Sequence, residues 1–178
     1  MAGRYPLWRL MVVEFMAATD AAYAALWRFV FSIDLVKTVR AANHPVDDPV
    51  QHMLADSRRR VRSTRDAIWL RLVDAPRALD ARTYADSRLV IDLRDEFCPW
   101  NAGRYLLESD GTSASCTPTT AEADLVIPAA SLATAYLSGT RLSVLTRAGR
   151  AEERRPGVLR LADAMFTAER VPWSPEHW

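Results

Sequence analysis

The sequence predicts an α+β protein, because short strands alternate along the chain with short amphipathic helices. Three observations carry this. Leu89, Ile91 and Leu93 alternate with Val90, Asp92 and Arg94, the two-residue period of a half-buried strand. Asp110-Gly111 is a hairpin signal between two such runs. Tyr23, Leu26, Trp27, Val30 and Phe31 recur at the 3.6-residue spacing of a helix that buries one side.

In order along the chain, residues 10–15 read as a strand, and Thr19 or Asp20 can cap the helix that carries those aromatic residues. A strand over 35–42 ends at Asn43-His44-Pro45, and Asp47-Asp48-Pro49 starts a helical turn through Leu54. A strand pair is expected at 59–64 and 67–73 about a turn at Arg65-Asp66, with Ile68, Leu70 and Leu72 on one face and Trp69 and Val73 on the other. Asp74 caps a short helix through Ala81.

The character changes at Tyr84, and a domain boundary is placed near it, dividing the chain into 1–83 and 84–178. After the strand at 89–93, Asn101-Ala102-Gly103 turns the chain into a strand at 104–108. Further strands are read at 113–117 and 124–127. Pro128 opens a helix carrying Leu132, Ala135 and Tyr136, which Gly139 closes. Thr140 caps the next, with Leu142, Leu145 and Ala148 inward and Gly149 after it. Pro156-Gly157 opens a last helix with Val158, Leu161, Ala162, Met165 and Phe166 on its apolar face.

A chain of 178 residues with 49% apolar residues has enough material for one domain or two small ones. Its 23 basic and 22 acidic residues leave a net charge of +1, with no field to gather a polyanion, so no nucleic acid partner is expected. The dense basic run, Arg58-Arg59-Arg60 with Arg62, is flanked by Asp56 and Asp66 and has no interleaved aromatic to stack a base, so it reads as a solvated face. Cys98 and Cys116 form neither a disulfide framework nor a metal pattern, and are expected to be free thiols in a reducing cytoplasm. The start, Met1 to Pro6, lacks the apolar core of a signal peptide. The longest apolar stretches are cut by Glu14, Arg28 and Asp34, so no membrane span is expected.

Binding coenzyme A requires a glycine-rich strand-to-helix turn whose backbone N–H groups approach a pyrophosphate at a helix N-terminus. The six glycines, at 3, 103, 111, 139, 149 and 157, form no such turn, nor a P-loop or a dinucleotide fingerprint. No cofactor or metal is therefore assigned to these residues. His44, His52 and His177 offer no Ser/His/Asp arrangement, and His44-Pro45 reads as part of a turn. Cys98, near Glu96, lacks the electropositive setting of a nucleophilic thiolate and is read as a buried structural residue.

The run Phe97-Cys98-Pro99-Trp100-Asn101-Ala102-Gly103-Arg104-Tyr105 and the closing Val171-Pro172-Trp173-Ser174-Pro175-Glu176-His177-Trp178 resemble segments of the enhanced intracellular survival (Eis) type acetyltransferases. Ala24 to Phe29, Pro45 to Pro49 and Trp69 to Asp74 resemble further segments in the same order. The resemblance is to the C-terminal portion of that family. It implies that residues up to about 83 are the later part of a GNAT-like central domain, and that the rest is a sterol carrier protein-like domain whose mixed or antiparallel sheet is covered by helices. In the family, acetyl-coenzyme A sits in an N-terminal domain. The final carboxylate, here that of Trp178, serves as base toward an amine acceptor such as an aminoglycoside or a lysine side chain.

A free α-carboxyl is ionised but weakly basic in water, and burial against the Trp173 and Trp178 rings would strengthen it as a base. On this reading the 178 residues are one part of an acetyltransferase, inactive without an N-terminal GNAT domain as partner. Two other readings stand beside it: a sterol carrier-like module holding an apolar small molecule among Leu132, Tyr136, Leu142, Val158, Leu161, Met165 and Phe166, and a homo-oligomerisation module. The same seven residues also read as plain core.

Overall fold

The computed structural model describes residues 8–175, and the chain divides into two units, Met1–Ile68 with Trp173–Trp178 and Trp69–Pro172. In the first, β1 (Trp8–Val12) pairs in parallel with β2 (Val36–Ala41), and α1 (Asp20–Ser32) makes the connection that a parallel pair requires. Thr19 caps α1, its hydroxyl accepting the Ala22 N–H at 3.1 Å. Trp27 and Val30 turn inward against Val50 of α2 (Val50–Met53), with Leu10, Val12, Phe15 and Tyr23 packed around them. Leu26 and Phe31, expected on the buried face of α1, are exposed, as are Phe29, Trp8 and Met11. Parallel strands are ordinarily covered on both faces. Among the described residues this pair has no third strand.

The strand pair expected at 59–64 and 67–73 does not form. A single 3-10 turn at Ser57–Arg59, capped by Asp56, leads into extended chain without a ladder. Side-chain bonds take the place of strand pairing: Arg60 donates to Gln51 at 3.1 Å and Arg62 to the Val46 carbonyl at 2.8 Å. The alternation of Ile68, Leu70 and Leu72 was real, but it buries only Leu72, while Trp69 is 87% exposed. Without a neighbouring strand, period-two patterning has no ladder to join.

The second unit is a five-stranded mixed sheet in the order β5-β4-β3-β6-β7. Its centre is β3 (Ser87–Arg94), antiparallel to β4 (Gly103–Ser109) and parallel to β6 (Leu125–Pro128). The outer strands are β5 (Ala114–Pro118) and the two-residue β7 (Glu152–Glu153), which sequence periodicity did not reveal. Between β4 and β5, residues 110–113 make the turn: Gly111 takes φ +87, and the Asp110 carboxylate accepts the Thr112 and Ser113 N–H groups.

Leu89, Ile91, Leu93, Leu107, Leu125 and Ile127 face a core closed by α3 (Ala75–Asp80), α4 (Ala129–Tyr136), α5 (Leu142–Arg147) and α6 (Val158–Phe166). Two helix boundaries differ from expectation. Ser138, not Gly139, takes the left-handed conformation after α4, and its hydroxyl donates to the Phe166 carbonyl. Thr140 does not cap α5; instead the Asp163 carboxylate of α6 accepts the Ser143 N–H at 3.0 Å, a long-range substitute for a local cap.

Leu132, Leu142, Val158, Met165 and Phe166 are buried in this core, with Tyr136 and Leu161 packed partly buried against it. Leu132→Ala is therefore expected to cost about 3 kcal/mol in urea unfolding, the loss of a leucine from a filled interior. A loss below about 1 kcal/mol would mean that the side chain faces open space. Burial, with Asp80 nearby, pushes the Cys116 thiol up to about 12. Among the described residues no helix is long and apolar enough to cross a membrane.

Candidate functional site at the tail anchor

At the end of β2 the chain makes a sharp turn at Asn43, whose φ of +55 asparagine tolerates better than most residues. This residue holds the tail. Its carbonyl accepts the Trp173 indole N–H at 2.8 Å, and its side-chain amide donates to the Pro175 carbonyl at 3.1 Å. Arg65 donates to the Asn43 side-chain oxygen at 3.3 Å, fixing the amide's orientation.

Beside it, His44 Nδ1 lies 2.9 Å from Asp48 Oδ2. Asp48 is 3% exposed, and its other oxygen accepts the Tyr23 hydroxyl and, at 2.9 Å, the Val50 N–H. The imidazole sits against aromatic rings, with centroids 5.5 Å from both Phe15 and Trp27, and Phe15 stacks on Trp27 at 4.7 Å. Burial pushes the Asp48 carboxyl up, but the bonds from His44, Tyr23 and Val50 outweigh it and hold the group below the usual carboxylate range. Burial and then Asp48 raise the Tyr23 phenol, which stays a donor.

A depressed carboxyl contributes stability that is fully present above its unfolded pKa of about 3.9 and is lost as pH falls through the lower folded value. Wild-type protein is thus expected to lose part of the Trp27 environment below about pH 4, a step that Asp48→Asn should remove from the acid titration of tryptophan fluorescence. An unchanged acid limb in the variant would mean that Asp48 is not the titrating group.

In the second unit the Phe97 to Tyr105 run is built around Asp95. Its carboxylate accepts Arg71, the Phe97 and Cys98 N–H groups at 3.1 and 2.9 Å, and the Asn101 amide at 3.1 Å. Asn101 in turn accepts the Ala75 N–H at 2.9 Å and donates to the Leu72 carbonyl at 3.0 Å. Burial pushes the Asp95 carboxyl up, and the Cys98 N–H, Asn101 and Arg71 together outweigh it and hold it down. The backbone of the run is locked inside while Phe97 and Trp100 stand exposed. Arg71 lies over the Phe97 ring at 4.7 Å, and the Trp100 indole donates to the Val73 carbonyl at 2.8 Å.

Among the residues singled out from sequence, Trp178 and His177 lie outside the described residues. His52 is exposed on α2 beside Gln51. Cys98 is buried, but the absence of a cation around it was misread. Arg71 comes within hydrogen-bonding reach of the thiol from 27 positions earlier in the chain, too far for local reading to see. Sequence reasoning also missed Asn43 and Asp48 as a tail anchor and an imidazole partner. The Asn-His-Pro turn was visible, but nothing local ties it to Trp173, 130 residues away.

A parallel strand-helix-strand unit and a helix-covered mixed sheet, with residues 173–175 fixed on the first, make an α+β class of protein. Comparison with known proteins gives the family. Residues 3–82 match an acetyltransferase (GNAT) domain and residues 75–175 a sterol carrier protein domain. An uncharacterized N-acetyltransferase of Streptomyces avermitilis is 44% identical over 93% of this chain and 41% of its own length. The N-acetyltransferase Eis of Mycobacterium tuberculosis is 34% identical over 89% of this chain and 39% of its own. The crystal structure of Eis1 from Mycobacterium abscessus superposes with a TM-score of 0.88 at 34% identity, covering 98% of this chain and 44% of that one. Over residues 75–175, more than half of its length, the chain belongs to the sterol carrier protein domain family, and residues 3–82 are similar to an acetyltransferase (GNAT) domain. The chain spans about two fifths of the length of the curated relatives it matches.

Proposed function

We propose that these residues form the acceptor side of an acetyl-coenzyme A-dependent N-acetyltransferase of the Eis type, acting on amines such as aminoglycosides or lysine side chains. In this reading residues 1–83 are the later part of a central GNAT-like domain and 84–178 the sterol carrier-like domain. The observation that carries it is the anchoring of Trp173 and Pro175 on Asn43, which ties residues 173–175 to the turn after β2. In keeping with the resemblance to the Eis-type family, the Trp178 carboxylate would hold an acceptor ammonium and take up its proton as the amine becomes a nucleophile.

The glycine pattern supports placing the coenzyme A site outside these residues. The connection from β1 to α1, residues 13–19, carries no glycine, and the positive-φ glycines lie in the second unit, within or beside β4, β5, α5 and α6. Donor binding is accordingly assigned to an N-terminal GNAT domain acting with these residues, and the chain by itself is expected not to acetylate. The uncovered apolar residues of β1 and α1 support association, with such a domain or within a homo-oligomer. The two buried free thiols suit a reducing cytoplasm.

The test is an acetyl-transfer assay of this chain with acetyl-coenzyme A and a polyamine panel, with calorimetry for coenzyme A binding. No binding and no turnover, restored by adding an N-terminal GNAT domain, is the expected outcome. Turnover by the chain alone would overturn the assignment of the donor site.

A further inference from the structure

His44 carries one ring nitrogen that is tied down and one that is not. Nδ1 lies 2.9 Å from Asp48 Oδ2, and an ionised carboxylate oxygen only accepts, so the proton of a neutral imidazole belongs on Nδ1. Burial works against the Asp48 charge, but His44, the Tyr23 hydroxyl and the Val50 N–H together hold the carboxyl ionised. Nε2 is left with a lone pair. It bonds to no described residue, yet it is not sealed in: the side chain is 14% exposed, and Nε2 is not one of the buried polar atoms that lack a partner.

The ring is also held in orientation. Its centroid lies 5.5 Å from those of Phe15 and Trp27, which stack on one another. In sequence it follows Asn43, the residue that bonds to Trp173 and Pro175. A pin for the Asn-His-Pro turn needs only Nδ1. A buried carboxylate behind a partly exposed imidazole does more, because it fixes the tautomer and stabilises the cation that forms when Nε2 takes a proton.

We propose that His44 Nε2 is a second proton acceptor for the amine nitrogen in acetyl transfer, with Asp48 as its positioning residue. The inference rests on the acceptor-side reading above. Turning an alkylammonium into an acetamide removes two protons from nitrogen. The first frees the lone pair that bonds to the acyl carbon, and the second leaves as the carbon–sulfur bond of the acyl thioester breaks. One of the two ends on the departing thiol and the other in solvent. A terminal carboxylate that holds the ammonium accounts for one of them. An imidazole is ordinarily about three pKa units more basic than an α-carboxyl, so it retains the other where a carboxylate would not. Its exposed edge then returns that proton to water.

Ring nitrogen chemical shifts of the whole chain, carrying isotope-labelled histidine, test the tautomer without any turnover. The proton is expected on Nδ1 with Nε2 bare. Asp48→Asn, whose amide can donate to Nδ1, should move the proton to Nε2. In the chain combined with an N-terminal GNAT domain, His44→Asn keeps a donor facing Asp48 and removes Nε2. Its kcat should fall by about 10²–10⁴, with KM changed by less than about threefold. Free imidazole should return part of the rate to His44→Ala, where the place against Phe15 and Trp27 stands open, a response that a merely structural histidine would not give. If His44→Asn does not fold, the wild-type tautomer and the kcat of Asp48→Asn decide the matter. A proton on Nε2 in the wild-type chain, or a kcat in these variants within about twofold of wild type, would overturn the second base and leave the acceptor-side reading standing. No turnover in the assembled wild-type protein would bring down both.

Discussion

Asn101→Ala is expected to destabilise the second unit by at least about 3 kcal/mol, although it removes no apolar surface of consequence. The side chain is 0% exposed and closes three bonds at once, from Ala75 and to Leu72 and Asp95. Truncation would leave the Ala75 N–H and the Leu72 carbonyl unpaired and take one donor from an ionised, buried carboxylate. Each unpaired buried group costs about 1–3 kcal/mol. Ala75 begins α3, so the damage reaches the packing of that helix against β5. Urea unfolding followed by far-UV circular dichroism gives the measure. A cost below about 1 kcal/mol would mean that water replaces the amide, and that the lock on the Cys98 to Tyr105 run is made elsewhere. Asn101→Asp should be worse still, since it sets a second carboxylate against Asp95.

The second large effect concerns turnover. If the proposed acceptor-side role holds, appending a few residues after Trp178 in the protein assembled with a GNAT donor domain should lower kcat by about 10²–10⁴, the usual contribution of a positioned general base, with the fold and acceptor affinity little changed. Asn43→Ala should produce a partial form of the same defect. It removes the bond to Pro175 and the Arg65 contact while sparing the backbone carbonyl that holds Trp173. Carboxypeptidase release of the last residues should quicken in that variant, a readout independent of activity. Full turnover in the extended protein would remove Trp178 from the mechanism. Normal kcat with fast carboxypeptidase release would show instead that the carboxylate does not need the Asn43 anchor.

Local patterning revealed most of the second unit, because its elements are short and each signals itself: alternation in β3, Asp110-Gly111 between β4 and β5, Pro128 before α4, and Pro156-Gly157 before α6. It failed where the decisive partner was remote. The Ile68, Leu70, Leu72 alternation has a strand's period but no strand beside it, and Thr140 looked like a cap until Asp163 supplied one from another helix. The candidate site was legible as segments and invisible as an arrangement. Asn43, His44 and Asp48 stand near one another in sequence, but what they do depends on Tyr23, Arg65 and Trp173, brought in by the fold.

The tail anchor has a consequence for synthesis. The first unit is made of residues from both ends of the chain, with the whole of Trp69–Pro172 between them. A ribosome working from the N-terminus delivers Asn43 early and Trp173 only after the entire second unit has emerged, so the first unit must wait incomplete while its neighbour folds. Through that interval the Asn43 turn lacks the Trp173 indole and the Pro175 carbonyl that bond to it. Pauses in translation before residue 173 should therefore lower the yield of native protein more than pauses placed after it.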